Sequence, residues 1–406
     1  MKRLLKNANI LTMKDNQILY RTDLLIRDNE ILAIGKDLPS ENGDVMDLTG
    51  HYLMPGLFDA HVHYNTSEMG PLFLANGITG VRNMQGVSRH LEYGAEILAG
   101  KRIGPYIYST GQLYDGKQTW QSLKVISSEE EAEKAVYDTA EGGFQWVKTY
   151  TAIADNVYLH LMKTAQKAGI KVCGHMSYTL DSKVLADLGY HCVEHSSSLP
   201  KHPADIEYIA RSGMWFCPTQ VVCETLPDYV WDGKRLCGIP YYDYVPQVNR
   251  SYWEEHNKGI IEGYKNRGIK PDINVIIERG RVFMKHSARI LAGSDCAYPG
   301  LVAGFSLHDE LSRLVKLYGM TPYEALRAAT VNPAEHVGEE DRKGRLRPGM
   351  DADILILKGN PLADIDNTRS IHGVIQGGRL FDRTALDSLL EGVKALGEAE
   401  IEILLR

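Results

Sequence analysis

The alternation of apolar and polar positions changes character twice along the chain. Over residues 1–54, short apolar runs at 18–20, 23–27 and 30–34 are punctuated by the turn signals Asp28-Asn29 and Asn42-Gly43, the texture of short strands. The same texture returns near the far end, where 344–350 leads into apolar runs at 353–357 and 373–378. Between these flanks, strand-length apolar runs alternate with amphipathic stretches of helix length. Eight runs qualify as strands: 57–63, 78–82, 106–110, 144–149, 171–175, 191–195, 215–218 and 290–295. Helices are predicted over 129–140 and 156–168, among others. Another opens at Thr321-Pro322-Tyr323-Glu324, which supplies an N-cap, a proline at the first helical position and a capping-box glutamate.

Strand followed by helix, repeated in this way, predicts an α/β fold with a parallel (β/α)8 TIM-like barrel over 55–343. Residues 1–54 and 344–406 are expected to combine into a small β-sandwich domain. Its last stretch, 385–406, carries helical spacing at Leu386, Leu389, Leu390 and Val393 and should pack outside. One connection breaks the rhythm: an insertion at 219–289, rich in Tyr229, Trp231, Tyr241, Tyr242, Tyr244, Tyr252 and Trp253. It follows the C-terminal end of a strand, the face on which barrel active sites form, so it either borders the substrate or packs as its own aromatic cluster.

Charge and composition narrow the partners. With 45 Lys+Arg against 52 Asp+Glu the net charge is −7, and no basic run of five residues occurs, which argues against nucleic acid or an anionic membrane as the main partner. A chain that is 44% hydrophobic and 24% charged is an ordinary globular protein with a sizeable core. The opening Met1-Lys2-Arg3-Leu4-Leu5-Lys6 starts like a signal sequence, but Lys6, Asn7 and Asn9 interrupt the apolar stretch that should follow. No window approaches the roughly 18 apolar residues of a membrane span. The six cysteines form no CxxC pair and are expected as reduced thiols in a cytoplasmic protein acting on a small molecule. Homo-oligomerisation stays open.

The densest chemistry is Asp59-Ala60-His61-Val62-His63. Side chains alternate along a strand, so His61 and His63 project to one face as a pair able to bind a metal. His175, His195 and Asp295 end three further predicted strands, and all five residues would meet at the barrel mouth. Lys148 ends a fourth. A bare ammonium beside metal cations is strongly unfavourable in a low-dielectric site. Either Lys148 points away, or its neutral amine has combined with CO2 as a carbamate, which inverts its charge and offers two oxygens. The carbamate is the preferred reading. Tyr150 shares the face of Lys148 if the strand continues, and either contacts substrate or packs over the rim. Tyr178, Arg82 and Arg89 are further candidates for substrate contact. His191-Cys192-Val193-Glu194-His195 also fits the HxxEH pattern of inverted zinc peptidases, but that pattern works on a helix and this segment reads as a strand.

Taken in order, HxH, Lys, His, His and Asp on successive strands resemble the amidohydrolase superfamily, in particular its imidazolonepropionase-related and prolidase-like members. The resemblance spans essentially the whole chain. Beyond the HxH stretch it rests on Gly77-Ile78-Thr79-Gly80-Val81-Arg82-Asn83, Val147-Lys148-Thr149-Tyr150, Gly174-His175, Val193-Glu194-His195, Leu291-Ala292-Gly293-Ser294-Asp295 and Arg347-Pro348-Gly349-Met350-Asp351-Ala352-Asp353. It implies that His61, His63 and Asp295 hold a more buried metal and that His175 and His195 hold a second. Carboxylated Lys148 and a hydroxide would bridge the two, with Asp295 as catalytic proton shuttle.

The implied cofactors are two divalent ions, zinc being the expected metal. The implied activity is hydrolysis of amide-type C–N bonds, with a dipeptide or N-acyl amino acid as leading substrate. Two departures weaken a dipeptidase reading: Thr149-Tyr150-Thr151 stands where such relatives carry Ser-Gly-Gly, and Asn83 where an aspartate is usual. The first alternative is a mononuclear hydrolase of a cyclic amide, imine or lactone with unmodified Lys148. The second is a non-catalytic relative that kept the barrel for binding, against which stands the presence of all six candidate ligands.

Overall fold

The computed structural model describes residues 1–40, 42–117, 123–230, 236–251, 253–254, 262, 272–397 and 400–405. Both chain ends share one sheet. Strands Lys2–Leu11, Ile18–Arg27 and Glu30–Gly35 form an antiparallel meander, with Asp44–Asp47 and Tyr52–Pro55 parallel to the first. Ile354–Leu357 then pairs antiparallel with Tyr52–Pro55 and carries Ile371–Gln376 and Arg379–Asp382 beyond it. Leu5, Ile10, Leu24, Leu53, Ile354 and Ile375 meet in one core, so apolar burial ties the two termini into a single unit. The sequence pattern does not predict the first of these strands. Its alternation is broken by register shifts between Leu5 and Ala8 and between Ala8 and Ile10, with Asn7 at φ 57°; a bulge of this kind scrambles the period-two signal.

Seven strands of the barrel pair parallel in chain order: Leu57–Val62, Ile78–Asn83, Tyr106–Asp115, Trp146–Thr149, Lys171–Gly174, Cys192–Glu194 and Trp215–Cys217. A short edge strand, Leu123–Val125, lies beside the third. The predicted eighth strand at 290–295 is a bridging segment instead. It closes the ring through isolated bridges, Phe216 to Ile290 on one side and Val62 to Cys296 on the other. The reason lies in where its amides go. Leu291 N donates to Phe216 O and Asp295 N to His61 O, but Ala292 N donates to Ala328 O and Ser294 N to the Asp59 side chain. Half of these amides are thus diverted from the ladder, and Asp295 adopts φ 61°.

The helices follow the predicted spans closely. Glu129–Glu141 is capped by the Ser128 side chain, Asp155–Ala168 ends on left-handed Gly169, and Pro322–Ala328 carries the full Thr321/Glu324 capping box. Helix Arg383–Ala395 packs on Met69–Ala75 near the barrel mouth. The chain after it returns to the loop behind His63, where Ile403 bridges Thr66 and Leu404 N donates to Asn65 O.

Within the insertion, helix Gln220–Val230 leads to two short 3-10 turns and to helix Ile273–His286. Trp231, Tyr252 and the side chain of Tyr229 lie outside the described residues. Tyr241 and Tyr244 stack on Phe305 with ring centroids 4.1 and 5.1 Å apart, and buried Trp253 donates to Ala297 O at 2.9 Å. Tyr242, Tyr244 and Trp253 pack a small core around Val245, Val302 and Phe305. Among the described residues, no helix is long and apolar enough to cross a membrane.

Candidate metal centre

The first barrel strand and the bridging segment build the innermost part of the site. His61 and His63 each bring Nε2 to 3.3 Å from the same oxygen, Oδ1 of Asp295. Ligand atoms of these three residues all lie within 4.8 Å of one another. Asp59, two residues ahead of His61, accepts from Ser294 N at 2.9 Å and Ser294 Oγ at 2.6 Å, locking the bridging segment against the strand. Gly293 is required there. A Cβ at that position would sit 2.6 Å from Cys217 Sγ and 2.7 Å from His61 Cβ.

Two more strand ends complete the cluster. The His195 ring lies 4.8 Å from that of His61 and 4.4 Å from that of His175, centroid to centroid, and His195 Nδ1 is 3.8 Å from Asp295 Oδ2. His195 leaves its strand with φ 68°, which turns its side chain into the mouth. Thr219 Oγ1 stands 2.6 Å from His195 Nδ1 while donating to Pro218 O, so it accepts a hydrogen bond from Nδ1–H and leaves Nε2 as the candidate ligand atom. Tyr150 stacks on His175 at 4.0 Å, and Lys148 Nζ lies 6.0 Å from the Tyr150 ring. Lys148 itself is 1% exposed.

Burial works against the charged imidazolium at His63, His175 and His195. It depresses His63 despite the pull of Asp295, drives His175 well below the ordinary histidine range, and lowers His195 to about 3. Burial alone would raise Asp295, but His61, His63 and His195 around it hold its carboxyl well below the usual carboxylate range. Asp295 is thus a carboxylate surrounded by the ring nitrogens of His61, His63 and His195.

That donor set fits a divalent cation. Glu194 is ion-paired to Arg82 at 2.7 Å and accepts only, so His61 Nδ1, 2.8 Å from Glu194 Oε2, carries the ring proton. A neutral His61 ring would then present its Nε2 lone pair to a carboxylate oxygen, acceptor against acceptor. His61 Nε2 and His175 Nε2 are both buried without a hydrogen-bond partner. A cation resolves both problems, and imidazole with carboxylate is the ligand chemistry of zinc.

Two of the expected substrate contacts, Arg82 and Arg89, are committed to other partners. Arg82 is wholly buried beneath the site: four of its five guanidinium N–H groups donate to Ala60 O, both Glu194 oxygens and His336 Nε2, and none is exposed to a substrate. Tyr178 is 81% exposed and its side chain faces solvent. Arg89 is committed to Glu92, Glu96 and Glu402. The HxxEH pattern is dismantled as well, since Cys192–Glu194 is a strand and the His191 ring packs 4.7 Å from His336, away from His195.

Sequence reasoning does not single out Glu194, Thr219, Asp59 or Ser294 as parts of the site. Glu194 carries a usable signal, because a carboxylate inside a buried strand must be paired. Thr219 carries only the family likeness of Cys217-Pro218-Thr219: it follows Pro218 outside any periodic element, at φ 44°.

The Amidohydrolase family model matches residues 52–381. Ochratoxinase of Aspergillus niger is 24% identical over 426 aligned positions, covering 92% of this chain and 85% of that protein. The solved structure of a Xaa-Pro dipeptidase with bound methionine superposes with a TM-score of 0.73 at 20% identity, covering 94% of this chain and 100% of the other. Bottromycin amidohydrolase gives a TM-score of 0.76 at 22% identity, covering 98% of this chain and 92% of the other.

Proposed function

The chain belongs to the amidohydrolase family and is an enzyme of the metal-dependent, C–N-hydrolysing kind. We propose that it cleaves the amide bond of a dipeptide or an N-acyl amino acid, with His61, His63, Asp295, His175, His195 and Lys148 holding two divalent ions. The observation that carries this reading is the convergence of His61 and His63 Nε2 on one oxygen of Asp295, with His61 Nε2 left without a hydrogen-bond partner. Divalent ions at such a place polarise a scissile carbonyl and lower the pKa of attacking water to about 7.

The chain's own groups supply the rest. Asp295, acceptor-only and at the centre of the donor set, takes the proton of the attacking water and delivers it to the leaving nitrogen. Lys148, buried at 1% exposure, is best accommodated as a carbamate, formed when its amine adds to CO2 and releases a proton. Tyr150, braced on His175, walls the mouth beside it. The name of the Xaa-Pro dipeptidase favours a dipeptide as substrate class.

A second reading, one metal and a cyclic amide, imine or lactone, is favoured by a single fact: His61, His63 and Asp295 form the tight set, and His175 lies outside it. Metal equivalents per chain, measured by plasma mass spectrometry after expression with zinc and bicarbonate, separate the readings. Near two equivalents, with turnover of a dipeptide or N-acyl amino acid library, is the expected result. One equivalent selects the second reading, and none overturns both.

A further inference from the structure

Beneath the metal centre, the barrel interior holds a polar column where aliphatic layers usually stand. From the top it runs His61 Nδ1 to Glu194 Oε2 at 2.8 Å, then Glu194 to Arg82 at 2.7 and 2.8 Å, then Arg82 Nη1 to His336 Nε2 at 2.8 Å. His61, Glu194 and Arg82 are fully buried and His336 is 1% exposed. At its foot His336 stacks on Trp146, with ring centroids 5.3 Å apart and planes within 8°. Arg82 also donates to Ala60 O at 2.6 Å, the carbonyl of the residue just before His61.

Two properties set this column apart from an ordinary buried ion pair. Its upper carboxylate spends one oxygen on a ring nitrogen of the innermost ligand, and its cation is anchored to the same strand as that ligand. Glu194 thereby fixes which nitrogen of His61 is protonated and how the ring is rotated. Arg82 holds Glu194 ionised and in place. A hydrogen-bond partner on the second nitrogen of a metal-ligating histidine sets tautomer, orientation and basicity together.

Resting on the metal-dependent reading above, we infer that Glu194 is a positioning residue that sets the affinity of the ion held by His61, and that Arg82 serves it as counter-charge. The column is separable from folding. Removing the charge of Glu194 alone strands a buried guanidinium and destabilises the barrel, but neutralising both partners together removes that penalty. Arg82→Gln keeps a donor for Ala60 O. Glu194→Gln offers His61 Nδ1 either an acceptor or a donor, and so no longer dictates the tautomer.

The test compares wild type, Glu194→Gln, Glu194→Asp and the pair Glu194→Gln/Arg82→Gln. Three quantities are measured: thermal melting of the metal-free proteins, zinc affinity by competition with a chromophoric chelator, and the visible spectrum of the cobalt-substituted forms. The expected result is a paired variant that melts close to wild type yet binds zinc about 10- to 100-fold more weakly, with an altered cobalt spectrum. Glu194→Asp, which keeps the charge, should recover part of that loss relative to Glu194→Gln. A folded paired variant with wild-type zinc affinity overturns the inference, as does failure of every variant to fold, since the column would then be purely structural. Wild-type protein that binds no zinc would instead overturn the metal-dependent reading.

Discussion

Thr219 Oγ1 lies 2.6 Å from His195 Nδ1, and the backbones presenting these two atoms are both left-handed, with φ of 44° and 68°. Neither residue is glycine, so each conformation costs on the order of 1–3 kcal/mol and is held by its surroundings. Here that strain accompanies the aiming of a ligand. Thr219→Val is expected to weaken zinc binding about 10- to 100-fold, with Thr219→Ser restoring most of it. Chelator competition reads both, and a valine variant with unchanged affinity would reduce Thr219 to loop packing.

Asp295→Asn tests the proton shuttle. The amide keeps the volume and one ligand oxygen but no longer accepts a proton. Turnover per bound metal should fall by about 10²- to 10⁴-fold. Scaling the rate to measured metal content separates lost proton transfer from lost metal, and a rate per metal near wild type would remove Asp295 from the catalytic role.

Gly293→Ala should damage fold and site together. Its Cβ would meet Cys217 Sγ at 2.6 Å and the backbone nitrogen of His61 at 2.9 Å, neither of them the free end of a flexible chain. Overpacking of this kind costs about 1–3 kcal/mol, and the relief available is movement of His61. Thermal melts of metal-free protein and zinc competition should both shift. A lower melting point with intact zinc affinity would show that the strain relaxes away from the site.

Acid sensitivity is expected from histidines remote from the metals. His308 is buried between Thr368 Oγ1 at 2.9 Å and Asn76 O at 3.1 Å, and burial lowers it to about 3. Its folded pKa lies below the ordinary 6.5, so the unfolded chain binds the extra proton in between. The contribution is complete above about pH 6.5 and is lost as pH falls toward 3, amounting to about 2 kcal/mol by pH 5. Urea titrations of metal-free His308→Gln at pH 8 and pH 5 should show a smaller acid loss than wild type. An identical loss would assign the sensitivity to other groups.

Much of this molecule is legible as pattern. The HxH pair, the strand-end His175 and His195, and Asp295 all emerge from alternation and spacing, because a strand's period fixes which face a side chain takes. Depth along the barrel axis is a different matter. Arg82 and Lys148 both occupy strands buried on two faces, and a period of two cannot say which layer each reaches, so Arg82 is expected at the mouth and lies below it. The first strand is hidden by its bulges, and the bridging nature of 290–296 by side-chain acceptors distant in sequence, Asp59 above all.

In most barrels the elements that hold the ring shut and the groups that react are kept at opposite ends. In this chain the seam at 289–296 does both. The bonds that zip it, Leu291 N to Phe216 O and Asp295 N to His61 O, are made by the segment that carries Asp295, the proposed proton shuttle. With Asp295 as the proposed shuttle, closing the ring and arming the enzyme would be one conformational event. A nascent or half-open barrel has no working centre, and recovery of hydrolytic activity during refolding would serve as a clock for the last closure of the barrel.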